Sequence, residues 1–184
     1  MFKHKLSLLG LLILITGMFF SCSNNNKSVS EDEMLNRAKQ LSDSSNAINS
    51  KDVRLQAIKV YEDFVTQFPK SDKLPEVYSK IAELYFGVED FQKTISTYSL
   101  LSEKYPDTRY GRQALFMTAF IYDNQLNDKA NAIAAYKKYI EKYPKDVEGE
   151  NFTESAKGMV DILENNKSIE DIIKQNEGKK SEQV

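Results

Sequence analysis

Between residues 31 and about 165, apolar residues recur every three or four positions. Examples are Ala57, Tyr61 and Phe64, and Tyr78, Ile81, Ala82 and Tyr85. That period places them on one stripe of a helix, so the segment reads as successive amphipathic helices. Three of these runs, 57–68, 94–105 and 132–143, end on an aromatic–proline pair: Phe68-Pro69, Tyr105-Pro106 and Tyr143-Pro144. Proline cannot continue a helix and pushes the residue before it out of helical geometry, so each pair marks a helix end. A further helical segment precedes each run across a polar turn. The turns at 87–90 and 124–128 offer Asp90 and Asp128 as N-caps. The pairs recur at intervals of 37 and 38 residues. Two helices per unit at this period predict a solenoid, because one helix pair cannot bury its own apolar face and stacked pairs can. The expected fold class is all-α: an α-α superhelix of about three helix pairs plus a C-terminal capping helix. The competing expectation is an irregular helical bundle.

The N-terminus has a different pattern. Lys3 and Lys5 precede an uncharged, largely apolar stretch at 6–20, followed by Ser21 and Cys22. Fifteen residues make about 22 Å of helix, short of a roughly 30 Å hydrocarbon core, so the stretch suits an export signal better than a permanent span. Cleavage before Cys22 is expected. A soluble secreted protein or a signal anchor are the alternatives. The segment resembles the bacterial lipoprotein signal, although Phe19 and Phe20 stand where that family usually has Leu and a small residue. The resemblance implies that Cys22 carries acyl chains and that the membrane is a partner through this lipid; more than one chain makes such anchoring stable. The expected division is therefore a signal at 1–21, a flexible tether at 22–30 and a solenoid at 31–165. Its units lie at about 31–69, 74–106 and 111–144, with the cap at 148–165. A short helix and polar tail occupy 166–184. The Ser- and Asn-rich stretch 23–30 reaches about 26 Å when extended, enough to hold the domain clear of lipid headgroups.

Composition narrows the chemistry. The single histidine, His4, and the single cysteine, Cys22, both lie in or beside the signal, and there is no tryptophan. A mature chain of 163 residues then lacks histidine and a free thiol, which excludes Ser-His-Asp and Cys-His catalysis and a His/Cys zinc site. The 7 glycines are scattered and form no phosphate loop. Without Lys3 and Lys5, 23 bases face 27 acids, a formal charge of −4 with no basic face, so nucleic acid is not expected as a partner. No enzyme activity, cofactor, metal or small-molecule substrate is expected.

The repeat resembles the tetratricopeptide repeat. In the middle unit Tyr78, Ile81, Ala82, Tyr85, Thr94, Tyr98 and Leu101 fall on consensus spacing before Pro106 with no gap. The third unit supplies Leu115, Thr118, Ala119, Tyr122, Ala132, Tyr136 and Tyr139 before Pro144, with one residue inserted in its turn. The first supplies Ala57, Tyr61 and Phe64, and Ala38 and Leu41 fit only if seven residues are inserted in the turn at 43–50. Phe152, Ala156, Met159 and Leu163 keep helical spacing as the cap. The resemblance implies a concave face built from outward positions of each first helix: Glu76, Ser79, Glu83 and Phe86, then Gln113, Phe116, Phe120, Asp123 and Asn124, with Lys157 and Val160 from the cap. Ser79, Glu83, Phe86, Phe116, Phe120, Asp123 and Asn124 are the candidate partner-binding groove, for an extended segment or helix of another protein. Core packing is the alternative role for the phenylalanines. Ser79 and Glu83 occupy the places of the Lys/Asn carboxylate clamp of chaperone-binding repeats, so that binding mode is not expected.

A lipid anchor with short aromatic–proline repeats resembles the BamD-type lipoproteins of outer-membrane assembly, and also the repeat domain of the Tol-Pal-associated periplasmic coordinator of envelope constriction. These resemblances imply a scaffold for envelope proteins on the periplasmic face of the bacterial outer membrane. Three repeats are fewer than the five usual in the BamD family. Ser23 rather than Asp follows Cys22, and no acidic cluster follows it, which favours the inner leaflet of the outer membrane. Two other readings stand beside it: a ligand-capturing periplasmic or surface lipoprotein, and an envelope enzyme using the carboxylates of Glu83 and Asp123.

Overall fold

The computed structural model describes residues 29–165. The signal, Cys22 and the helix and tail expected at 166–184 lie outside the described residues. Seven helices follow one another: α1 (Glu31–Ala47), α2 (Lys51–Gln67), α3 (Leu74–Gly87), α4 (Phe91–Lys104), α5 (Arg109–Asn124), α6 (Lys129–Lys142) and α7 (Phe152–Asn165). Each packs chiefly on the helices before and after it, and α3 touches α5 while α5 touches α7. Those second-neighbour contacts give a stack of antiparallel pairs with the odd-numbered helices along one side. The expected all-α superhelix is what forms. No described helix is long and apolar enough to cross a membrane.

The helix ends follow from local chemistry. The backbone N–H groups of Phe68, Tyr105 and Tyr143 donate to the carbonyls of Phe64, Leu101 and Tyr139 at 2.8, 3.0 and 2.8 Å. Each aromatic before proline thus makes the last helical bond of its run. At the other ends, Ser30, Ser50, Asp90, Thr108 and Asp128 accept from a backbone N–H three residues on, satisfying a donor the helix cannot use. Helix α3 has no side-chain cap and begins instead with Pro75 in its first turn. The hairpin turns contain Asn49, Glu89 and Asn127, all at positive φ.

The seven-residue insertion does not form a loop. The links 48–50 and 88–90 are equally short. Instead α1 runs nine residues past Ala38, to Ala47, where α3 runs five past Ala82, to Gly87. Likewise α2 begins six residues before Ala57, where α4 begins three before Thr94. Four and three extra residues are each close to one helical turn, so both helices lengthen without rotating their buried stripes.

Two clusters make the core. The larger joins α1 to α5 through side chains including Ala38, Phe64, Val77, Ala82 and Leu101. The smaller joins α5, α6 and α7 around Ala119, Ala132, Tyr136, Tyr139 and Ala156. Ala57, Ala82 and Ala119 are fully buried, as close approach between helices requires.

The cap is held by polar contacts as well. The Asp146 carboxylate accepts from the N–H groups of Thr153 and Glu154 at 2.7 and 3.1 Å, capping α7 from seven residues upstream. Arg112 on α5 donates to both oxygens of Glu150 at 2.8 Å and to the Asp107 carbonyl at 2.9 Å. This fork fixes the 143–151 connection against the third helix pair.

Candidate functional site

The side lined by α3, α5 and α7 carries the candidate groove. At its middle Ser79 is buried, and its hydroxyl donates to Glu83 Oε1 at 3.1 Å. Lys80 Nζ meets Glu83 Oε2 at 2.8 Å, so the Glu83 carboxylate has two partners from its own helix. Phe86 is half-buried, packs against the larger cluster and meets the Phe91 ring edge-on at 5.6 Å.

On α5 the two phenylalanines diverge. Phe116 stands 5.5 Å from Tyr136, 5.9 Å from Tyr139 and 5.3 Å from Phe152, which joins α5, α6 and the cap in one aromatic cluster. Phe120 is half-buried and belongs to no aromatic pair among the described residues. Asn124 is exposed and its Nδ2 donates to the Phe120 carbonyl at 3.2 Å. Asp123 is half-buried, and burial alone pushes its carboxyl above the ordinary carboxylate range. Of the remaining inner positions, Glu76 is exposed, Gln113 and Val160 are half-buried, and Lys157 pairs with Glu154 at 2.9 Å.

Three tyrosines on the even-numbered helices complete the site. Tyr61, Tyr98 and Tyr136 each lie eight residues before the proline of their unit, and all three are buried. Burial raises each phenol, that of Tyr61 to about 12. Carboxylates of the inner helices add to it: Glu76 and Glu83 act on Tyr61, Glu83 on Tyr98 and Asp123 on Tyr136. The Tyr136 hydroxyl is buried without a hydrogen-bond partner among the described residues. At helical spacing Tyr98 and Tyr136 are expected to fill the volume between helices and send a hydroxyl to an edge, whereas the Tyr136 hydroxyl is buried. Only the choice of Tyr over Phe, repeated at one register in three units, signals their polar ends.

The remaining depressions are open rather than enclosed. One, of about 570 Å³, lies along α1 and α2 at Met34, Arg37 and Val60, where no earlier described pair covers the first one. A cleft of about 100 Å³ between α1 and α3 has Leu35 and Val77 among its walls and Lys39 and Lys80 among its charged groups. No group of three or more metal-ligating side chains gathers among the described residues. No hydrogen bond or ion pair joins Glu83 to Asp123 among them.

A family model described as tetratricopeptide repeat matches residues 113–146, which take in most of α5, its turn and all of α6 with Tyr143 and Pro144. The match falls on the third unit although the middle one follows the consensus spacing without a gap. In the third unit Ala119 and Ala132 supply the two small buried positions, whereas Thr94 holds the second in the middle unit. No curated protein matches the chain. Tetratricopeptide repeats generally mediate protein–protein interactions, and all-helical scaffolds of this kind are typically not enzymes.

Proposed function

We propose that this protein is a lipid-anchored scaffold that holds a segment of another envelope protein against the face built by α3, α5 and α7. The observation that carries the reading is the stack of helix pairs with a tetratricopeptide match, which sets Glu76, Glu83 and Asp123 on its odd-numbered helices. A rigid, polar-lined and open surface suits an extended or helical peptide better than a small molecule, which takes an enclosed pocket.

The attachment is part of the same proposal. Lipidation at Cys22 tethers the domain to the periplasmic face of the outer membrane. The resemblance to BamD-type and Tol-Pal-associated repeat proteins supports barrel-protein assembly or envelope constriction as the setting. Crosslinking in cells with a lysine-reactive reagent, followed by mass spectrometry, tests the scaffold role. Envelope proteins joined through Lys80 or Lys157 are the expected result. Links only through outer-helix lysines such as Lys59 and Lys138 would overturn it.

A further inference from the structure

Gly111 of α5 and Thr153 of α7 sit against corresponding aromatic–proline corners. A Cβ on Gly111 would stand 2.0 Å from the Tyr105 carbonyl oxygen, and Thr153 Oγ1 donates to the Tyr143 carbonyl at 2.9 Å. Three residues on, Ala114 and Ala156 have no exposed surface. The two helices therefore share a register, in which Phe120 and Ile162, each nine residues past its corner contact, correspond. Both are half-buried, and neither packs into either core cluster among the described residues. One unit earlier Glu83 follows Ala82 as Phe120 follows Ala119, and its carboxylate is engaged by Ser79 and Lys80. The inner face thus turns from charged to apolar toward its C-terminal end.

The chain that follows α7 carries a matching apolar stripe. Ser168 stands at an N-cap position with Asp171 three residues on, and Ile169, Ile172 and Ile173 share one helical face. In α4, Phe91, Thr94 and Ile95 stand at the same offsets from their cap, Asp90, and Thr94 and Ile95 are buried. A link at 166–168 is as short as those at 48–50 and 88–90, each of which reverses the chain. A helix that continued the stack would set these isoleucines on the side of α7 opposite Ala156, where Glu154, Asp161 and Asn165 lie. The inner side offers Ile162 instead, about one turn before α7 ends. We propose that residues 169–176 form a short helix folded across the inner face, seating Ile169, Ile172 and Ile173 on Ile162 and Phe120. Such a helix spans about 12 Å and neighbouring helices lie about 8–10 Å apart, so it covers both side chains. Within the scaffold reading, on which this consequence rests, the tail occupies the α5–α7 end of the groove until a partner segment displaces it.

The test replaces Phe120 with a photo-crosslinking phenylalanine analogue in the purified full chain in detergent and identifies the joined peptides by mass spectrometry. The expected product is intramolecular, joins position 120 to residues 168–174, and forms in a yield unchanged by dilution. Ile172→Asp combined with Ile173→Asp should lower that yield at least about tenfold, because two apolar contacts become charges. A product joining two copies of the chain, a product without residues 168–174, or an unchanged yield in the double variant would each overturn the proposal. In cells the double variant should raise crosslinking of envelope proteins through Lys80, since the tail no longer competes. No rise, with the parent chain still crosslinking, would overturn displacement by a partner. If no tail link forms while Lys80 still crosslinks to envelope proteins, the scaffold reading stands and the tail cover falls. A tail link without any envelope crosslink, even in the double variant, keeps the cover and removes the scaffold.

Discussion

The hydroxyl of Tyr143 donates to the carbonyl of Pro106 at 2.8 Å, so two aromatic–proline corners one repeat apart in sequence touch in space. The same ring packs on Tyr139 with centroids 5.1 Å apart. The corner at Pro106 therefore ends its own helix and supports the next unit. Tyr143→Phe keeps the ring and removes the bond, and should cost about 0.5–1.5 kcal/mol in urea unfolding. An unchanged midpoint would mean the corners touch without holding each other.

Glycine is required at one helix start and replaceable in another helix. A Cβ at Gly111 would lie 2.0 Å from the Tyr105 carbonyl oxygen, a backbone atom that cannot swing aside. Gly111→Ala should cost on the order of 2–4 kcal/mol, because α5 must shift away from the preceding corner. At Gly158, within α7, a Cβ meets nothing within 4 Å. Gly158→Ala should instead gain about 0.5–1 kcal/mol. Thermal unfolding of the two variants side by side checks both signs.

The cap should be sensitive to acid. Hydrogen bonds from Arg112 hold the Glu150 carboxyl below its ordinary value, and the two side chains are only 13% and 6% exposed. A lowered carboxylate value contributes stability that is complete above the unfolded value, near 4.3, and is lost as pH falls through the folded one. Glu150→Gln should therefore be less stable than the parent by about 1–3 kcal/mol at pH 7. The gap should narrow below about pH 4 and close once Glu150 is protonated in both states. A gap independent of pH would show that packing rather than charge holds the connection.

Asp123 should behave in the opposite sense. Burial raises its carboxyl value, so the ionised form is penalised in the folded state, and the penalty sets in as pH rises. Asp123→Asn should melt about 2 °C above the parent at pH 7 and match it in acid. A variant that melts lower at neutral pH would mean that Asp123 has a stabilising partner.

The stacked pairs were legible because their signals are local. Proline ends, capping residues and three- or four-residue spacing act within a single turn, and they place the helix ends beside Phe68, Tyr105 and Tyr143. The insertion before Ala57 was legible in length but not in form, because residues added as whole turns leave the apolar stripe in phase. Phe116 occupies an inner register position, yet Phe152 folds back from 36 residues away to meet it. The Arg112–Glu150 fork spans 38 residues. Neither contact leaves a trace in helical spacing. Of the candidate groove, the α5 positions Phe120, Asp123 and Asn124 were readable by register. The hydroxyl of Tyr136 behind them was not, because a buried tyrosine looks the same in sequence whether or not its hydroxyl is paired.

The most direct measurement of the account places a photo-crosslinking amino acid at Asn124, on the inner face, and separately at Gln92, exposed on α4, in living cells. Discrete crosslinked products are expected from position 124, and none from position 92. Products from position 92 alone, or equally from both, would contradict an inner-face scaffold.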